Sequence, residues 1–107
     1  MSKPLRTEEE AEDELSEAIR RYEERRAGLG EELLVAVDTA LARIAMLPGS
    51  GAPVPQVPPE LRIRRMPVQG FPYRVVYLET PEAIRVVAFA HIRRRPGYWL
   101  PRLRFRR

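Results

Sequence analysis

Apolar side chains recur every three or four residues through the first half of the chain, in two separate stripes. The first stripe is Ala11, Leu15, Ala18, Ile19 and Tyr22, and the second is Leu34, Val37, Leu41, Ile44 and Leu47. This spacing places each set on one face of an α-helix. We predict helices over about residues 7–27 and 30–47, the first opening with a capping box at Thr7 and Glu10. Because only Gly28-Leu29-Gly30 separates them, the two helices should form an antiparallel hairpin.

The second half of the chain changes to short segments in which apolar and polar residues alternate, a pattern typical of β-strands. Strands are predicted over residues 61–64, 73–79 and 84–91, with residues 3–6 as a candidate short edge strand. A bulge is expected at residues 65–66, where the alternation breaks, and the proline-rich residues 48–59 should be an extended loop. Strands joined by short turns form an antiparallel meander. The predicted fold for residues 1–107 is a single α+β domain, with the helical hairpin packed on one face of a small antiparallel sheet.

The two longest strands should present two different faces, if Glu79 lies opposite Ile84 across their turn. One face is then uncharged and suits packing on the helices; it comprises Tyr73, Val75, Tyr77, Ile84, Val86, Ala88 and Ala90. The other face mixes Arg74, Arg85 and His91 with apolar residues, and an apolar patch rimmed by charge is typical of a binding surface. We therefore predict that it is exposed and binds a partner. The predicted partner-binding residues are Val76, Leu78, Val87, Phe89 and Trp99.

Composition removes several classes of site. The chain has no Cys, so a disulfide framework and a thiolate metal site are both impossible. A single His, with no dense carboxylate cluster on the strands, argues against zinc. No apolar run approaches the roughly 20 residues of a membrane span, and the polar N-terminus does not resemble a secretory signal. We expect a cytoplasmic protein without a metal, a cofactor or a membrane contact.

Charge divides the chain into two unlike halves. Residues 1–51 carry seven basic and twelve acidic groups, a net charge of −5, whereas residues 52–107 carry twelve basic and three acidic groups, a net charge of +9. Nearly all the basic groups are Arg, whose planar guanidinium suits phosphate binding and base stacking. The second half is therefore expected to offer a basic surface to an anionic partner.

Four segments of the chain are distinctive when taken together. They are the helical hairpin with its Gly28-Leu29-Gly30 link, Arg62-Ile63-Arg64-Arg65, Phe71-Pro-Tyr-Arg-Val-Val-Tyr77, and His91-Ile-Arg-Arg-Arg-Pro-Gly-Tyr-Trp99. With these segments the chain resembles the RelE/ParE superfamily, the toxins of type II toxin–antitoxin (plasmid-stabilisation-like) systems. The resemblance covers about residues 7–102, and the last two segments are the specific ones. It implies the fold that the patterns predict, with two N-terminal helices on one face of a small antiparallel sheet.

The resemblance implies two alternative activities and one shared partner. Some members of the superfamily are ribosome-dependent nucleases that cut mRNA, and others bind DNA gyrase and block it without cutting RNA. Both kinds are neutralised by a cognate antitoxin encoded beside them. A third alternative is a family member that binds an antitoxin-like partner without being toxic.

Metal-free RNA cleavage needs a group to take the proton of the 2′-hydroxyl, cations to hold the phosphate and an acid for the leaving oxygen. The resemblance makes Arg74, Arg93 and Tyr98 candidate catalytic residues, and His91 is a candidate base because its unperturbed pKa lies near neutrality. The candidate nucleic-acid-binding residues are Arg62, Arg64, Arg65, Arg94 and Arg95. Arg stands where the nucleases often have Lys; it can stabilise charge but is a poor base, since it stays protonated.

Overall fold

The computed structural model describes residues 3–104 and has two helices lying on a five-stranded sheet. The elements are β1 (Leu5–Thr7), α1 (Glu9–Arg25), α2 (Leu29–Met46), β2 (Ala52–Pro53), β3 (Ile63–Pro67), β4 (Tyr73–Glu79), β5 (Ile84–His91) and α3 (Pro101–Arg104). The strand order is β1-β5-β4-β3-β2. The predicted α+β fold is confirmed, and the antiparallel meander gains a parallel edge strand because β1 pairs with β5 in the same direction.

The start of α1 differs from the prediction. Thr7 pairs with Val86 as the last residue of β1, so it is extended and unable to cap the helix. Glu8 occupies the cap position without a side-chain capping hydrogen bond, and the predicted capping box is therefore wrong. The edge strand expected near residues 3–6 is present as β1, over Leu5–Thr7.

The link between the helices is tight because two glycines permit it. Gly28 has φ +91°, in the left-handed region that favours glycine. A Cβ on Gly30 would lie 2.9 Å from the carbonyl oxygen of Ile19, so α1 and α2 approach too closely for a larger residue. The Glu23 carboxylate accepts hydrogen bonds from the backbone N–H groups of both glycines, and these bonds lower its pKa. The predicted antiparallel hairpin follows from this link.

Because β5 contains a bulge, several of its side chains lie on the face of the sheet opposite to the one predicted. Glu79 does lie opposite Ile84, but Tyr77 pairs with Val86 and Val76 with Ala88, which leaves Val87 as an extra residue. An extra residue reverses the alternation beyond it. Phe89 consequently joins the core under the helices, whereas Ala88 and Ala90 change to the opposite face. The bulge was expected at residues 65–66, in β3 rather than here.

The face opposite the helices is covered, contrary to the prediction that it is open. Its buried residues, here named the C-terminal core, are Val54, Ile63, Val76, Val87, Ala88 and Trp99. Val87 is 0 % exposed and Trp99 is 3 % exposed. Residues 98–103 fold back over the sheet and bury this face, because apolar side chains in contact with water favour any segment that can cover them. Of the predicted partner-binding set, Leu78 alone is not buried but half-buried.

Candidate functional site

The edge of β5 beyond β1 is closed by two side chains in place of a strand. The last backbone hydrogen bond on this edge is donated by the N–H of Glu8 to the carbonyl oxygen of Val86 (2.9 Å). Further along, the N–H of Phe89 donates to Glu14 Oε1 (2.9 Å), and Arg102 Nη1 donates to the carbonyl oxygen of Val87 (2.8 Å). Unpaired strand edges invite pairing with other chains. Glu14 and Arg102 therefore protect this edge and attach the C-terminal segment to it.

Tyr98 belongs to the same network. Its hydroxyl donates to Glu14 Oε2 (2.7 Å), to which Arg102 Nη2 also donates (2.8 Å). The guanidinium carbons of Arg94 and Arg102 lie 3.8 and 5.2 Å from the centre of the Tyr98 ring. Burial and the Glu14 carboxylate raise the pKa of Tyr98 well above its ordinary value. The hydroxyl is thus held protonated and already engaged.

The sequence contained a signal for Glu14 that pattern reasoning missed. Glu14 lies three residues after Ala11 and four before Ala18, which are both buried, so its position falls on the inward face of α1. A carboxylate on the inward face of a helix requires a partner. Arg102 has no comparable signal, because its role depends on a C-terminal segment whose path local patterns do not encode.

A second group of arginines surrounds a small cleft beside Tyr98, here named the arginine cleft. Its basic residues are Arg65, Arg74, Arg94 and Arg95, and its volume is about 50 Å³. Val76, Ala90 and Trp99 also line it and supply apolar surface. Within residues 3–104, the guanidinium groups of Arg65 and Arg74 have no hydrogen bond or ion pair. Burial and the like charge of Arg74 lower the pKa of Arg65, which is the electrostatic behaviour of a site lacking a counter-ion.

Several predicted site residues lie elsewhere. Arg62 and Arg64 line a separate groove of about 810 Å³ between the proline-rich loop and the β4–β5 turn, and Arg64 Nη1 donates to the carbonyl oxygen of Gly51 (2.8 Å). Arg93 is exposed, and its backbone N–H donates to His91 Nδ1 (3.1 Å).

His91 is also separated from Arg74, although the sequence placed them on one face. His91 borders one end of the arginine cleft, but its ring packs edge-on against Tyr73 in the core under the helices, with 5.1 Å between ring centres. Arg74 follows Tyr73 in β4 and so points to the other face. The bulge at Val87 causes this separation, because it reverses every side chain after it in β5.

The structure therefore brings together Arg65, Arg74, Arg94, Arg95 and Tyr98, with His91 at one end of the cleft, and leaves Arg62, Arg64 and Arg93 outside it. Within residues 3–104, no three His, Asp or Glu side chains are grouped as the ligands of a metal ion would be. No helix in that range is both long and apolar enough to cross a bilayer.

Comparison with known proteins identifies the class of fold and then the family. The solved structure titled "Chromosomal ParDE TA system from P. aeruginosa" matches with a TM-score of 0.71 over 83 % of this chain and 95 % of that chain, at 13 % sequence identity. The chain thus has the fold of ParE-like toxins. The family model described as "ParE toxin of type II toxin-antitoxin system, parDE" matches residues 5–96, and the chain belongs to this family. No curated protein matches it. Membership implies an antitoxin partner.

Proposed function

We propose that this protein is a growth-arresting toxin that acts in the cytoplasm by binding DNA gyrase, without cutting RNA, and that its cognate antitoxin neutralises it. Family membership supports the role of toxin. The observation that supports binding over cleavage is the Tyr98 hydroxyl, which is engaged by Glu14 and has a raised pKa. A group held in this way is poorly suited to transfer a proton during a reaction.

The positions of the other residues predicted to take part in RNA cleavage also support binding over cleavage. A metal-free nuclease needs its base, its acid and its cations around one phosphate. Here the His91 ring and the Arg74 side chain lie on opposite faces of the sheet, and Arg62 and Arg64 border a different groove. A toxin that only binds a protein target does not require these side chains to surround one phosphate.

RNA cleavage is the second candidate, and the arginine cleft favours it. Arg65 and Arg74 could together hold a phosphate, with Arg94 and Arg95 following the backbone of the nucleic acid. The two candidates differ in what they require of Tyr98, since only cleavage by the superfamily's pattern would use its hydroxyl.

We expect the purified protein to stop supercoiling of plasmid DNA by gyrase and to leave mRNA intact on translating ribosomes. In cells, its induction should raise the SOS response. Tyr98→Phe keeps the ring between Arg94 and Arg102 but lacks the hydroxyl, so it should retain growth arrest in cells. Far-UV circular dichroism of this variant checks that it folds.

Cleavage of mRNA in the ribosome assay by the wild-type protein, but not by a folded Tyr98→Phe variant, would overturn the proposal. The protein would then be a nuclease. Full growth without any effect on gyrase would instead identify a family member that binds an antitoxin and has lost its toxicity.

A further inference from the structure

We propose that the arginine cleft binds a side-chain carboxylate from an acidic, leucine-containing segment of the antitoxin. Arg65 and Arg74 would hold the carboxylate, and the apolar wall of the cleft would accept the neighbouring side chain. This inference rests on the proposed function only in taking the antitoxin as the protein that supplies the segment.

The strand register brings the two guanidinium groups to one place. Arg65 lies opposite Val76, and Arg74 lies opposite Pro67, so the two arginines are diagonal neighbours on the same face of β3 and β4. Diagonal neighbours in an antiparallel pair are separated by about 7–8 Å, within reach of two long side chains. Two guanidinium groups so placed repel each other, and an oxygen-bearing anion between them relieves the repulsion.

No acidic side chain of the described residues lies in the cleft. Glu14 pairs with Arg102 at 2.8 Å, and Glu79 pairs with Lys3 at 2.8 Å. Arg65 and Arg74 therefore have no acidic partner within residues 3–104, and the cleft suits an anionic group supplied by another molecule.

The geometry favours a peptide carboxylate over single-stranded RNA. RNA-binding sites usually offer open aromatic rings on which bases stack. Here Trp99 is buried, and the Tyr98 ring is already contacted by two guanidinium groups. A cleft of about 50 Å³ is large enough to hold a carboxylate group. Ile92, 48 % exposed at the rim, offers apolar surface to a leucine beside the carboxylate.

The test uses the full chain and three fluorescent probes in anisotropy titrations. The probes are a 12-residue peptide made of Glu-Glu-Leu repeats, the same peptide with Gln for Glu, and a 12-nucleotide uridine RNA. The double variant Arg65→Gln/Arg74→Gln removes the proposed site. The matched control Arg6→Gln/Arg43→Gln removes two exposed charges, one on β1 and one on α2, that line neither the cleft nor the groove.

We expect the Glu peptide to bind and the Gln peptide to bind at least about tenfold more weakly, because charge-assisted hydrogen bonds contribute the difference. Arg65→Gln/Arg74→Gln should weaken binding of the Glu peptide by about tenfold, and the control variant by less than about twofold. Thermal unfolding followed by circular dichroism checks that both variants are folded. Arg6 and Arg43 are exposed, and Arg65 and Arg74, although half-buried, make no side-chain hydrogen bond among the described residues.

Equal binding of the Glu and Gln peptides would overturn the proposal, because no carboxylate would then be recognised. Equal losses of affinity for the Glu peptide in the two double variants would also overturn it, because the binding would then depend only on the net charge of the protein. Tighter binding of the RNA, dependent on Arg65 and Arg74, would assign the cleft to nucleic acid. Gyrase inhibition by the wild-type protein is measured separately, so failure of the gyrase proposal with intact peptide binding would leave the carboxylate site standing.

Discussion

Replacing Trp99 by Ala should lower the free energy of unfolding by about 3 to 5 kcal/mol, the range observed when large buried aromatic residues are truncated. Trp99 is 3 % exposed and packs with Val76 and Val87 in the C-terminal core. Its removal opens a cavity on the face of the sheet opposite the helices, which the sequence pattern predicted to be exposed. Urea unfolding followed by far-UV circular dichroism measures the change, because the variant has no Trp left for fluorescence.

Leu61→Ala is the matched control, since Leu61 is 41 % exposed and should lose less than about 1 kcal/mol. A Trp99→Phe variant should fall between the two, because it keeps part of the buried ring. If Trp99→Ala were as stable as the control, the side chain would not be a core residue in solution. The sequence-based interpretation of Trp99 as a contact for the partner would then be preferred.

The elements predicted correctly are those whose signals are local. The helical stripes and the alternation of β4 and β5 each repeat within a few residues, so the backbone type can be inferred without knowing what packs against it. The pairing of Glu79 with Ile84 also follows from a short turn. These features sufficed to predict the helical hairpin and the order of the three central strands.

The errors arise where one segment depends on a distant one. The extra residue at Val87 is accommodated by the edge contacts of Glu14 and Arg102, which come from opposite ends of the chain. Because that bulge was not predicted, Phe89 and the His91 ring were assigned to the wrong face. The cover provided by residues 98–103 was missed for the same reason, since a face that is apolar in sequence can be buried either by a partner or by the chain itself.

The charge asymmetry of the sequence becomes informative once its arginines are separated by role. Arg85 pairs with Glu8 at 3.4 Å and Arg102 with Glu14 at 2.8 Å, so two basic groups of the second half hold that half to the acidic first half. Arg64 hydrogen-bonds to the backbone at Gly51. Arg65 and Arg74 remain without such partners among the described residues. Part of the basic surface expected from composition is therefore the arginine cleft, which contains both of these unpaired groups.

Glu14→Gln should destabilise the protein by about 2 kcal/mol at pH 7, because it leaves the half-buried Arg102 without its charge partner. Glu17→Gln is the matched control on the same helix. Glu17 is exposed and pairs with Arg20 on the surface, so its replacement should leave the free energy of unfolding nearly unchanged. Urea unfolding followed by Trp99 fluorescence measures both variants, and the fluorescence also reports whether the C-terminal segment stays on the sheet.

The effect of Glu14→Gln should depend on pH in a defined direction. Burial alone would raise the pKa of Glu14, but hydrogen bonds from Arg102, Tyr98 and the Phe89 N–H outweigh it and lower the pKa below 4.5. Between the two pKa values the unfolded chain binds more protons than the folded one, so the stabilisation is complete above about pH 4.5 and declines as pH falls through the folded value. The gap between wild type and Glu14→Gln should therefore narrow as the pH falls below 4.5. A gap that stayed constant down to pH 3 would mean that the Glu14 carboxylate does not stabilise the folded edge of β5 through its charge.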